Sequence, residues 1–386
     1  MDFALTEDQK MLQTMVRDFA QRELLPVARE DDRNHYFRTE IVKKMASLGL
    51  VGDLLPQEYG GSGLDHGSHV VLVEEIGKVN FAYVVTIFMV QLCLVELTLL
   101  NWGTKEQKEK YLPRLAAGEI IGCFGAVEPN VGSDAGAVET MALLDGNEWV
   151  LNGSKTWITN GGIADIAIFL AQTDKSKGRK GLATLLVDTK TPGFNATAIE
   201  GKLGIRAANT AEISLDGCRT PKENLVGEVG KGLNITLSAI DYARFTMAAG
   251  CVGIAQGCID ASVKYAKERK QFNRQIGQFQ LIQEMIADMI VETEAARYLV
   301  YRVAYLRDNK LPCSTETAMA KYYASKVAMQ AADRAIQIHG GYGFSDEFPV
   351  ERYYRDARVS PLFAGTNEIQ KMIIAQHALG LNAINP

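Results

Sequence analysis

The stretches of the 386-residue chain able to do chemistry are short and glycine-rich. Residues 126–138, AVEPNVGSDAGAV, set Gly132, Ser133 and Asp134 in a turn between apolar runs. Backbone amides and a hydroxyl there can meet an anionic or polar ligand, and a plain turn accounts for the pattern equally well. Residues 153–162, GSKTWITNGG, put Trp157 beside Thr159 and a glycine pair, suited to stacking and hydrogen bonding against a planar ring. Read alone, a core tryptophan is the simpler assignment. In ERKQFNRQIGQF, Arg269 and Lys270 either pair with a pyrophosphate or form a solvated face. QIHGGYGF carries three glycines after a helical run, of which Gly340 and Gly341 read in isolation as a helix stop. FAGTNEIQ places Gly365 and Thr366 just before the last helix, where close backbone approach and a helix amino terminus favour phosphate. The five histidines (His35, His66, His69, His339, His377) show no HExxH spacing, and His66 with His69 in a glycine-rich loop makes a poor metal site. No metal is expected.

The elements that hold these stretches fall into three blocks. Thr6 and Gln9 form a capping box, and Met11, Leu12, Met15, Val16 and Phe19 then recur at helical spacing up to Pro26. Thr104 and Gln107 form a second box ahead of a segment ending near Gly118. Residues 1–119 therefore read as a helical domain. Residues 120–232 offer short runs such as EWVLNG, GLATLLVDT and AEISLDG between Gly, Asp, Asn and Pro turns, which is the texture of a β domain. With no helix between the strands and no GxGxxG, the Rossmann reading fails and nicotinamide binding is not expected. Residues 233–386 return to helix. Leu281, Ile282, Met285, Ile286, Met289 and Ile290 mark one apolar face, and Met319, Tyr322, Tyr323, Val327 and Ala331 another, as in a bundle.

Composition narrows the class. Apolar residues make up 47% and charged residues 23%, as in compact soluble proteins, and 41 basic against 46 acidic side chains give −5. No global positive field draws the chain to nucleic acid or anionic lipid. Six scattered cysteines without a CxxC pair point to a reducing compartment, and the acidic start MDFALTEDQK lacks the character of a signal peptide. A cytoplasmic protein is expected. Phe81 to Leu100, interrupted by Gln91 and Glu96, reads as a buried helix rather than a membrane span.

In order, AVEPNVGSD, WITNGG, RKQF, QIHGGYGF, YRDAR and AGTNEIQ, set in an α–β–α chain running from LTEDQKML to the final helix, resemble the acyl-CoA dehydrogenase family. The resemblance implies an α+β fold with an N-terminal helical domain, a middle β-barrel or sandwich and a C-terminal four-helix bundle. It also implies a homotetramer with FAD in each subunit, an acyl-CoA substrate, and electron-transferring flavoprotein as acceptor. Carried over residue by residue, Trp157 and Thr159 would contact the isoalloxazine, and Ser133 would serve flavin or CoA. Val127 stands where many relatives have a threonine near the flavin. Arg269, Phe272, Gln280, Gln337 and Gly341 would reach the FAD of a neighbouring subunit, while Thr366 and Glu368 would hold the cofactor of their own. Asp241, Arg244 and Gly365 would contact substrate, and the backbone amide of Ala364 would polarise the thioester carbonyl.

The family reaction also needs a carboxylate to remove the α proton as hydride leaves the β carbon. The resemblance puts that glutamate either just before the late GT or just before the arginine of the third-domain helix. Here both positions are alanine, Ala364 in FAGTN and Ala243 in DYARF. Three explanations stand. The base has moved, with Glu96 or Asp241 as the carboxylate and Gln91 in the acyl pocket, which suits a cyclic or otherwise apolar acyl group. Alternatively the substrate needs no base, as in decarboxylation or desulfination, or the alanine marks a base-deleted variant or another flavin reaction. A solvent-facing Glu96 and an Asp241 devoted to CoA are the plainer readings of those two acids.

Overall fold

A computed structural model describes residues 4–381. Residues 1–3 and 382–386, the ends of the first and third expected domains, lie outside the described residues. Helix α1 (Glu7–Phe19) starts where the sequence predicts: the Thr6 hydroxyl accepts the Gln9 N–H at 3.2 Å, and the Gln9 side chain accepts the Thr6 N–H at 3.1 Å. The helical run does not stop at Pro26. A π-helical turn (Ala20–Leu24) leads into α2 (Leu25–Asn34), and Pro26 sits in the first turn of α2, where a backbone N–H is not needed.

Helices α3 (Thr39–Ser47) and α4 (His66–Gly77) precede a long apolar helix, Phe81–Trp102. This pocket helix begins as α5 (Phe81–Tyr83), widens into π-helical turns over Val84–Glu96 and finishes as α6 (Leu97–Trp102). Helix α7 (Lys105–Ala116) follows, opened by the capping box of Thr104 and Gln107.

The middle domain contains β1 (Gly122–Gly125), β2 (Met141–Asp145), β3 (Glu148–Thr159), β4 (Ile166–Gln172), β5 (Leu182–Asp188), β6 (Phe194–Ala198), β7 (Thr210–Pro221) and β8 (Leu225–Val226). They form one connected sheet in the order β6-β7-β3-β2-β4-β5-β8, with β1 parallel to β4. The sheet curls on itself, so that the Thr220 hydroxyl of β7 donates to the Leu186 carbonyl of β5 at 2.8 Å. The cylinder is filled by Trp149, Leu151, Phe169, Leu185 and Ile213.

Helix α8 (Gly232–Glu268) runs through the molecule, and a small hairpin, β9 (Lys270–Gln271) and β10 (Arg274–Gln275), joins it to α9 (Gln280–Asp308). Helices α10 (Ser314–His339), α11 (Val350–Ala357) and α12 (Asn367–Leu379) complete the domain. Helices α8, α9 and α10 pack on one another and α12 lies along α10, which makes the expected bundle, with α11 added against α8 and α10. The expected apolar face of α9 is only partly covered: Met289 is fully buried, whereas Leu281 is 72% and Ile290 44% exposed. Phe81–Trp102 and Gly232–Glu268 are long and apolar enough to cross a membrane, and each has most of its apolar length packed inside the protein.

Candidate active site

A buried ion pair fixes the loops of the middle domain. Lys155 Nζ donates to Glu128 Oε1 at 2.7 Å and to the Leu170 carbonyl at 2.6 Å, and Glu128 accepts the backbone N–H groups of Glu139 (2.6 Å) and Thr140 (3.0 Å). Burial pushes the Glu128 carboxyl up, but the Lys155 charge and these donors together hold it below its ordinary value. The pair ties the turn carrying Val127 and Ser133 to the strand carrying Trp157 and Thr159. Val127 and Ser133 are both exposed, and the Val127 carbonyl accepts the Thr156 N–H of that strand at 3.1 Å.

Trp157 is not a core residue. The register of β3 against β7 slips between Lys155 and Ile158, Trp157 takes a φ of 59°, and its side chain is 61% exposed. A bulge has turned the indole out of the sheet, with Thr159 half-buried beside it. Asn160, unremarked in the sequence reading, is fully buried, and its Nδ2 donates to the carbonyls of Thr86 (3.0 Å) and Gly122 (3.1 Å). It pins the pocket helix to β1.

The late loop is clamped from three sides. Arg244 Nε donates to the Ala364 carbonyl at 3.0 Å, while Lys321 Nζ (2.9 Å) and Gln370 Nε2 (3.0 Å) both donate to the Gly365 carbonyl. Ala364 has a φ of 52° and Gly365 of 85°. The φ of Gly365 favours glycine, and a Cβ there would also press on Gln370 Nε2 at 2.8 Å and an Arg244 nitrogen at 3.0 Å. The Thr366 hydroxyl caps α12 by accepting the Ile369 N–H at 3.3 Å, and Glu368 lies exposed in that first turn. Ala243, next to Arg244 on α8, is buried. Asp241 is engaged by Arg307 at 2.7 Å, with Arg244 4.0 Å away.

Arg269 and Gly341 line a cleft of about 530 Å³ shared with Tyr265, Gly340 and Tyr342. The Arg269 guanidinium lies 5.5 Å from the Tyr342 ring centre, and a Cβ at Gly340 or Gly341 would meet nothing within 4 Å. Phe272, 87% exposed, sits on the neighbouring hairpin, Gln280 opens α9, and Gln337 is exposed in the last turn of α10. Arg269 and Arg244 are 25 residues apart. Most of that interval is α8, so they stand roughly 37 Å apart at 1.5 Å per residue. Within one chain the late loop and this cleft cannot meet the same end of a ligand.

The pocket helix carries the remaining polar groups. Gln91 Nε2 donates to the Leu115 carbonyl at 3.0 Å, and its Oε1 has no donor. Glu96 does not face solvent: it is fully buried and neither oxygen has a hydrogen-bond partner. Burial pushes its carboxyl up to about 8, opposed by the nearby Gln91 amide.

His66 and His69 lie on α4 rather than in a loop. His66 pairs with Asp308 at 2.7 Å, and His69 is completely buried between Asp53 and Thr246, with Cys93 on the far side of the threonine. The sequence reading missed this line, since its members come from four separate elements. Among the described residues no group of three metal-ligating side chains assembles.

Comparison with known proteins accounts for nearly the whole chain. Residues 6–119 match the model of the acyl-CoA dehydrogenase N-terminal domain, 123–218 that of the middle domain and 230–379 that of the C-terminal domain. Acryloyl-CoA reductase (NADH) of Anaerotignum propionicum is 47% identical over 98% of this chain and 96% of its own. The short-chain specific acyl-CoA dehydrogenase of Clostridium acetobutylicum is 44% identical over 97% and 99%. A solved chain from work on the electron transferring flavoprotein of Acidaminococcus fermentans superposes with a TM-score of 0.96 at 43% identity, covering 98% of this chain and all of that one. A glutaryl-CoA dehydrogenase from Mycobacterium smegmatis, solved in complex with FADH2, gives 0.94 at 31% identity over 99% and 97%. The curled middle sheet between two helical domains, the clamped late loop and these matches agree: the chain is an oxidoreductase and belongs to the acyl-CoA dehydrogenase family.

Proposed function

We propose that the protein oxidises a cyclic or otherwise apolar acyl-CoA thioester with FAD, its proton acceptor lying in the buried polar groups around the pocket helix rather than at Ala243 or Ala364. The observation that carries this is Glu96: a fully buried carboxyl with two unpartnered oxygens on an otherwise apolar helix. A buried acid left unsatisfied is costly and marks a working group more often than a structural one. Asp241 is the weaker candidate, being engaged by Arg307. The pocket helix carries no lysine or arginine to receive an anionic acyl end, which disfavours decarboxylation or desulfination.

A flavin dinucleotide fits the residues present. The outward indole of Trp157, with Val127, Ser133 and Thr159, offers a stacking face, and Thr366 with Glu368 stands at a helix amino terminus. The open glycines beside Arg269, with Phe272, Gln280 and Gln337, suit the distal half of a cofactor held by a neighbouring subunit. Bound there, FAD supplies the hydride acceptor. The chain's own work is to hold the thioester: Arg244 fixes the Ala364–Gly365 peptide, the Ala364 amide polarises the carbonyl, and Asp241 with Arg244 meets CoA.

A homotetramer in the cytoplasm, passing electrons to an electron-transferring flavoprotein, completes the reading. It is supported by the uncovered apolar residues of α9 and by the likeness to the Acidaminococcus chain. Incubating the FAD-loaded protein with straight-chain, branched, cyclohexane-carboxyl and cyclohexene-carboxyl CoA thioesters and identifying products by mass and NMR tests it. A cyclic product with its new double bond away from the α,β position is expected, and products from butyryl-CoA alone would contradict it.

A further inference from the structure

Positive charge collects behind the late loop. Lys321 is 1% exposed, and its Nζ donates to two uncharged oxygens, the Gly365 carbonyl at 2.9 Å and Asn367 Oδ1 at 3.1 Å. Arg244 Nε holds the neighbouring Ala364 carbonyl at 3.0 Å, with the Asp241 carboxylate 4.0 Å from its guanidinium. Helix α12 begins at Asn367, so its positive amino end meets the same loop. A buried lysine beside another cation and a helix amino end is costly to desolvate. The Gln370 amide already gives the Gly365 carbonyl a neutral donor at 3.0 Å, so tethering the loop does not call for a charge.

Peptide geometry tells where that charge is felt. In a planar trans peptide the N–H points opposite to the C=O, and the described residues contain no cis peptide bond. The Ala364 and Gly365 carbonyls turn onto Arg244, Lys321 and Gln370, so the N–H groups of Gly365 and Thr366 point away from those side chains. Among the described residues neither N–H meets an acceptor, and both residues are only half-buried. A cation on the peptide oxygen polarises the whole unit and makes its N–H a stronger donor. Successive amides of this kind, behind the positive φ of Ala364 and Gly365, suit an anion. Gln370 adds an independent sign. It is completely buried with its carboxamide against the loop, and its Oε1 accepts from no donor of the chain.

We propose that Lys321 is a positioning residue whose charge, relayed through the Gly365 peptide, lets the Gly365 and Thr366 amides hold a ligand oxygen that carries full or developing negative charge. The inference rests on the acyl-CoA reading above, which offers two such oxygens: the thioester carbonyl and a phosphate of the flavin dinucleotide. No bond forms or breaks at Lys321, and the ammonium acts by its field alone. The titratable and charged groups around it are Arg244 and the Cys251 thiol on α8 and the exposed Glu368 on α12. Burial brings the ammonium down to about 8, aided by Arg244 and opposed by Cys251 and Glu368. The charge is therefore present at neutral pH and is lost as pH rises through about 8.

The test has two arms, both run on the FAD-loaded holoenzyme in wild type, Lys321→Met and Lys321→Arg. In the first, acetyl-CoA labelled with carbon-13 at its carbonyl is bound and its carbonyl stretch is followed by isotope-edited infrared spectroscopy. This thioester has no β carbon and cannot be dehydrogenated. In the second, FAD affinity is measured by equilibrium dialysis. Lys321→Met is expected at neutral pH to lose at least half of the carbonyl downshift, or about tenfold in FAD affinity, and Lys321→Arg to keep both. A change in the first arm assigns the thioester oxygen, and a change in the second the cofactor phosphate. The wild-type signal should fade as pH rises through about 8 and be flat in Lys321→Met, which separates it from Glu96, a carboxyl that titrates in the same range. Where Lys321→Arg fails to fold, the wild-type titration against Lys321→Met decides. Wild-type values in both arms for a folded Lys321→Met make the lysine purely structural and overturn the proposal. A wild type that binds no CoA thioester by calorimetry overturns the acyl-CoA reading instead, and the FAD arm still decides the role of Lys321.

Discussion

Glu96 shows how burial changes what a residue can do. Its carboxyl sits near 8 when folded and near its ordinary 4.5 when unfolded, so between those values the native state holds a proton that the unfolded chain has released. The protonated form's contribution to stability is therefore complete below about pH 4.5 and is lost as pH rises through 8, at about 1.4 kcal/mol per pH unit for one proton. Chemical denaturation from pH 5 to 8 should show this slope in wild type and a flatter one in Glu96→Gln, and parallel curves would mean that Glu96 is ionised in the fold. A complementary substitution is Ala243→Glu. It restores a carboxylate at a position that the resemblance aims at the thioester, and should create or raise α,β-desaturation of a straight-chain acyl-CoA. An unchanged rate in a folded, flavin-loaded variant would contradict that aim.

At the scale of elements, the pocket helix depends on partners outside itself. Asn160 supplies both hydrogen bonds to the Thr86 and Gly122 carbonyls, and its own φ of 67° is one that asparagine and glycine tolerate. Asn160→Gly keeps the backbone conformation but removes both buried side-chain hydrogen bonds, which should cost about 1–3 kcal/mol in urea unfolding. A loss within a few tenths of a kcal/mol would mean that the helix is held elsewhere.

Elements governed by local rules were legible in the sequence. Both capping boxes start helices where the Thr and Gln spacing said they would. What local spacing does not carry is a register slip. The bulge that throws Trp157 outward depends on β7, more than fifty residues later in the chain, and so the tryptophan read as core. The Asp53–His69–Thr246 line was hidden for the same reason, as its members meet only when the segment before α4, α4 itself and α8 pack.

At the scale of the whole molecule, the late loop and the Arg269–Gly341 cleft are separated by most of the length of α8, and motifs of the resemblance fall at both. On the proposed reading, cofactor binding is tied to assembly. Arg269→Ala with Phe272→Ala should lower FAD retention and shift the protein from tetramer to smaller species in light scattering, while leaving the fold of each chain intact by circular dichroism. Full flavin content in a smaller species would mean that each chain holds its cofactor alone. The motif order made the family legible without any structure. The proton acceptor was legible only as the candidates Glu96 and Asp241, because burial and hydrogen bonding are not written in residue type.

The most direct measurement of the central claim is an anaerobic half-reaction. Wild-type FAD-loaded protein is mixed rapidly with cyclohexene-carboxyl-CoA and, separately, with butyryl-CoA, and flavin bleaching is followed in each. Fast bleaching by the cyclic thioester and little or none by butyryl-CoA is the predicted result. Fast bleaching by butyryl-CoA, with the cyclic thioester bound but inert, would show that ordinary α,β-desaturation proceeds despite Ala243 and Ala364, and would contradict the account.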